Sequence, residues 1–110
     1  MKPKSRKAKG RKLQNWVRDK LLTVFESDLT KEDIKPAIMG ESGEDIKLSP
    51  KARELIPFSI EIKNQEAVNL WEAYAQASQY KYEPLVVIKR NKHKPLIIMD
   101  AEIFFCIIKE

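Results

Sequence analysis

The sequence predicts a single α/β domain with a central mixed β-sheet flanked by helices, and three observations carry that prediction. Apolar residues recur at helical spacing in two long stretches. Between them, Phe58-Ser59-Ile60-Glu61-Ile62-Lys63 alternates strictly, as a half-buried strand does. Two short apolar runs then flank a basic turn, the pattern of a hairpin. At 110 residues the chain makes one domain, able to bury roughly two thirds of its unfolded surface without staples. One cysteine, Cys106, and one histidine, His93, exclude a disulfide framework and a structural zinc cluster. No run approaches the ~20 apolar residues of a membrane span, and the basic start leads into an interrupted amphipathic stretch rather than a signal peptide, so no membrane partner is expected.

In chain order, Lys2, Lys4, Arg6, Lys7, Lys9, Arg11 and Lys12 place seven cations and no acid in the first twelve residues. The rest of the chain has fourteen cations against sixteen acids. Residues 1–12 therefore read as a flexible basic arm and 13–110 as the folded domain. Such an arm gains affinity for phosphate backbones by releasing counterions, whereas a slightly acidic body repels them unless divalent cations occupy its carboxylates; a solubilising tail is the plainer alternative. Leu13, Trp16, Val17, Leu21, Val24 and Phe25 give a first helix over residues 11 to 26, with Trp16 expected in the core. Pro36 to Met39 reads as extended, ending at Gly40. The loop Gly40-Glu41-Ser42-Gly43-Glu44-Asp45 carries two glycines that permit a tight path delivering Asp45 to the edge of a cleft. Ser49 and Pro50 read as an N-cap and first position of a short helix to Leu55.

After the alternating strand, Ala67, Leu70, Tyr74 and Ala77 mark a helix over 65 to 80, with Gln76 and Tyr80 sharing another of its faces. Tyr82-Glu83-Pro84 breaks it. Leu85 to Ile88 and Leu96 to Met99 form the hairpin around Asn91-Lys92-His93-Lys94. Asp100 is placed to cap a last helix carrying Ile103, Phe104, Ile107 and Ile108, with Cys106 expected in the core.

Because strand side chains alternate, Ile60 and Ile62 enter a core while Glu61 and Lys63 emerge together on the opposite face. A metal-binding acid and a proton-handling amine are then neighbours, and Asp45 can supply a second acid. The plain alternative is a loop acid and a strand-face ion pair, of the kind that contributes only ~0–1 kcal/mol.

Asp45, Glu61-Ile62-Lys63 and Gln76-Ala77-Ser78-Gln79-Tyr80 together resemble the motifs of the PD-(D/E)XK nuclease superfamily, over most of residues 10 to 100. The resemblance implies a restriction-endonuclease-like core with the acid and lysine motifs on adjacent central strands, and DNA phosphodiester hydrolysis dependent on Mg²⁺, with Mn²⁺ able to substitute. Asp45, Glu61 and the backbone carbonyl of Ile62 would hold the metal, Lys63 would serve the attacking water or the phosphate, and Gln76 would hold Lys63 or the phosphate. Glu44 stands where the motif has proline.

Within the superfamily, Gly10 ahead of the first helix and the Gly-x-Ser-Gly-x-Asp loop look most like Holliday-junction resolvases and small phage-type endonucleases. That likeness implies branched DNA as substrate, a homodimer cutting opposite strands, and residence in the cytoplasm, or the host cytoplasm for a phage-encoded chain. Gln14 departs from the glutamate that many resolvases carry, leaving Glu41 or Glu44 to compensate. Lys4, Arg6, Lys7, Lys9, Arg11, Lys12, Ser42, Tyr80, Lys89 and Arg90 are the expected nucleic-acid contacts. A nuclease for linear duplex, flaps or single strands, and a non-catalytic binding module, are the alternatives.

Overall fold

A computed structural model describes residues 3–38 and 42–109, the side chains of residues 3–6 excepted. Lys2, Met39, Gly40 and Glu41, and the side chains of Lys4 and Arg6, thus lie outside the described residues. The first helix, α1, runs Pro3–Val24. It starts well before residue 11, so most of the segment expected as a separate arm is a helical extension. Its first turn carries no acid, leaving cations at the end where the helix dipole disfavours them. Leu13 and Val17 are buried, with Leu21, Leu22 and Phe25 packed beside them. Trp16 and Val24 are exposed instead, and Lys20 Nζ lies 5.4 Å from the Trp16 ring centre.

Two three-residue strands follow, β1 Ile34–Pro36 and β2 Ile46–Leu48, paired antiparallel. The extended segment expected from Pro36 begins earlier, at Ile34, and β2 was not foreseen, because three residues cannot display a period. Ile34 and Ile46 are fully buried and anchor this ribbon in the main core. Ser49 caps α2, Pro50–Leu55, as expected: its hydroxyl accepts from Ala52 N–H at 3.1 Å and donates to Asp33 at 2.8 Å. The Asp33 carboxyl is held below the usual range, first by the Thr30 backbone N–H and then by Ser49.

A second sheet has the order β3-β4-β5, with β3 Phe58–Asn64, β4 Glu83–Lys89 and β5 Leu96–Met99. β3 and β4 are parallel, joined by the crossover helix α3, Leu70–Ser78, and β4 and β5 form the expected hairpin. α3 starts later than residue 65 because Asn69 caps it, accepting from Glu72 N–H at 3.1 Å. The sheet is therefore mixed and has a helix on each face. α1 covers Ile60, Ile62 and Val87; α3 brings Ala73 and Ala77 against Val86. Ala73 and Ala77, rather than Ala67 and Leu70, form its buried stripe, since alanines let the helix backbone approach the sheet.

The last helix, α4, spans Ala101–Lys109, with Asp100 Oδ1 accepting from Ile103 N–H at 3.1 Å. None of its residues is buried, and Cys106, expected in the core, is exposed. Among the described residues, no helix is long and apolar enough to cross a membrane.

Candidate active site

The site is built on the edge of β3 that β4 leaves free. Asp45, at the threshold of β2, occupies that edge: its N–H donates to the Ile60 carbonyl at 3.2 Å, and its Oδ2 accepts from Ile62 N–H at 2.7 Å. One residue thus stands in for a strand partner, and the two sheets meet through it rather than through a continuous ladder between adjacent central strands. Ala37 N–H and the Gln14 side-chain amide both donate to the Asp45 carbonyl, at 2.8 and 3.0 Å. Gln14 consequently has a use that glutamate could not serve, because an ionised carboxylate has no proton to donate. A strand residue directs its N–H and C=O to the same side, so the Ile62 carbonyl faces the same free edge as Asp45.

Glu61 points to the α3 side of β3 and is only 9% exposed. Burial pushes its carboxyl up to about 7, the charge and hydrogen bond of Asp45 add to the rise, and Lys63 pulls the other way. Two carboxyl groups joined by a hydrogen bond are oxygen donors of the kind a hard divalent cation takes. Among the described residues no group of three or more His, Cys, Asp or Glu could hold a metal; the oxygen donors this edge offers are the Asp45 and Glu61 carboxylates and the Ile62 carbonyl. Half-buried Lys63 stands on the same strand face as Glu61 and takes part in none of the ion pairs of the described residues.

Glu44, a candidate extra ligand, is already engaged. Arg53 Nη2 lies 2.9 and 2.8 Å from its two carboxylate oxygens, with both side chains largely buried. Arg53 Nη1 also donates to the Phe58 carbonyl at 2.8 Å, and its guanidinium sits 4.1 Å from the Tyr82 ring centre. The residue before Asp45 is thereby pinned to the start of the strand that carries Glu61. Nothing in the sequence connects residue 53 with residue 44, and this clamp was missed.

Tyr80 donates its hydroxyl to the Gly43 carbonyl at 3.0 Å, which anchors the same loop. Burial foremost, then the charges of Glu61, Asp45 and Glu44, hold that phenol above its ordinary range and so protonated. Gly43 has φ +103°, a left-handed backbone that would strain any L side chain and so favours glycine. Ser42 is exposed, its carbonyl accepting from Lys47 Nζ at 2.8 Å. Gln76, one turn before Tyr80, has a buried Oε1 with no hydrogen-bond partner among the described residues.

Some of the basic residues meet on the α1 side of the sheet, at the end of β3. Lys9 Nζ donates to Asn91 Oδ1 at 2.6 Å and Asn64 Nδ2 donates to the Lys9 carbonyl at 3.0 Å, so α1 reaches both the hairpin turn and the end of β3. Lys9, Lys12 and Lys89 line the resulting cleft of about 260 Å³ together with Asn64 and Asn91. Arg90 lines a separate cleft of about 290 Å³ with Lys89, His93 and Lys94, whereas Lys7 and Arg11 are simply exposed on α1. Comparison with protein-family models, with curated proteins and with solved structures gives no match.

Proposed function

We propose that the protein is a Mg²⁺-dependent DNA endonuclease of the PD-(D/E)XK type, acting on branched DNA in the cytoplasm. The observation that carries this reading is the buried Glu61 carboxyl, raised to about 7 against Asp45 and followed on the same strand face by Lys63. Among the described residues no ion pair closes on Asp45 or Glu61, and Lys63 acts on Glu61 only at longer range. When bound by Asp45, Glu61 and the Ile62 carbonyl, Mg²⁺, or Mn²⁺ in its place, would neutralise phosphate charge and acidify a water. Lys63 Nζ orients that water or donates to the phosphate as charge develops. Asp45 is held by four backbone and side-chain contacts, so its carboxylate is preorganised. Lys9, Lys12 and Lys89, in the cleft on the α1 side at the end of β3, would hold the nucleic-acid backbone and supply salt-dependent affinity.

The test is Mg²⁺- and Mn²⁺-dependent cleavage of a labelled four-way junction beside linear duplex, flap and single-stranded DNA. Lys63→Ala and Asp45→Asn are each expected to lower the rate by about 10²–10⁴-fold, with far-UV circular dichroism showing both folded. Cuts placed symmetrically about the branch support the junction substrate; cleavage of linear or flapped DNA moves the substrate class. Intact binding with no cleavage under either metal would leave a binding module and sink the enzyme reading.

A further inference from the structure

The helix α4 has an apolar face with nothing on it. Phe104, Phe105, Ile107 and Ile108 are 46 to 60% exposed, while Glu102, Cys106 and Lys109 form its polar side. A helix of nine residues is shorter than the ~12–15 at which an isolated helix becomes even marginal in water, so its stability has to come from packing. The same chain carries an open apolar groove of about 420 Å³ where α1 and α2 leave the sheet uncovered, lined by Trp16, Leu21, Phe25, Leu55, Leu85 and Ile97. Its floor strand, β5, runs directly into α4 through Asp100.

We propose that the groove receives α4 of a second copy of this chain, each protomer giving its helix to the other about a two-fold axis. One protein that carries both an uncovered helix and an unfilled groove satisfies both at once by reciprocal exchange, the closed form of a two-fold interface. Covering the exposed parts of the four α4 side chains with Ile97 of the groove would remove roughly 500 Å² of apolar surface per protomer, before the rest of the groove lining is counted, against the ~800 Å² per partner of a standard interface. A lipid surface fits less well, since helices that lie on membranes carry lysines and arginines along their polar side, and α4 offers Lys109 against Glu102.

The association is read as mass, by sedimentation or light scattering over a concentration series, and so stands or falls apart from DNA cleavage. Wild type is expected to dimerise. Ile108→Glu on the helix and Leu55→Lys in the groove should each weaken the dimer at least about tenfold, with circular dichroism unchanged. Mixing these two variants should restore a heterodimer, because one helix and one groove remain intact and the other contact pairs Glu with Lys. A monomeric wild type, a dimer indifferent to both substitutions, or binding to anionic vesicles by a monomer would each overturn the proposal.

Discussion

The two faces of β3 are made by alternate residues of one strand and serve opposite ends. Toward α1, Ile60 and Ile62 join Leu13, Val17 and Val87 in an entirely apolar layer. Toward α3, Ser59, Glu61 and Lys63 face a helix that buries only alanines, and Ser59 Oγ accepts from Tyr82 N–H at 3.1 Å. The first face stabilises the fold by removing hydrocarbon from water. The second gives up stability, because burial beside Asp45 disfavours the charged form of Glu61. A strand can hold a strained chemical group on one side when the other side is packed well enough to tolerate it.

Three changes sharpen that contrast. On the apolar face, Ile60→Ala should cost about 3–4 kcal/mol, the transfer loss plus the cavity, read by denaturant unfolding. A loss below about 1 kcal/mol would mean that the α1 face does not support the site as argued. At the margin between the faces, Arg53→Met strands the largely buried Glu44 carboxylate and should cost about 2 kcal/mol, less than a wholly buried pair because some water reaches it. Mn²⁺ affinity, followed by electron paramagnetic resonance, should fall as well, since the clamp fixes the loop bearing Asp45; unchanged affinity would reduce Arg53 to a stabiliser.

On the polar face, the effect should be smaller and of reversed sign. Between pH 4.5 and about 7 the folded chain keeps the Glu61 proton that the unfolded chain has released, so this group's contribution to stability is full below 4.5 and is lost as pH rises through 7. Glu61→Gln should therefore match wild type in stability near pH 4 and exceed it by about 1–2 kcal/mol at pH 8, while abolishing cleavage. Equal thermal unfolding of the two proteins at both pH values would show that Glu61 is not buried against Asp45.

Much of this architecture was legible in residues 58–64 and 83–99, where strict alternation and apolar runs flanking a basic turn are local signals. The Ser49 cap was legible too. β2 was not, because three residues show no period and its strand character comes from pairing with β1. The exposure of Cys106 was misread because hydrophobicity says that a side chain seeks cover, not that its own chain provides it. Trp16 fell on the rim for a similar reason: helical spacing defines a stripe, but the width of the sheet beneath decides how much of it is covered.

By itself, the sequence determined the helices, strands and turns that follow from periodicity and capping, and the pairing of Glu61 with Lys63 on one strand face, since these depend on residues a few positions apart. Only the tertiary structure decided that Asp45 closes the free edge of β3, that Gln14 and Arg53 hold its loop there, and that Lys9 and Lys12 meet Lys89 in a cleft on the α1 side at the end of β3. Those contacts join residues far apart in the chain, and burial and electrostatic coupling exist only once packing has excluded the water between them.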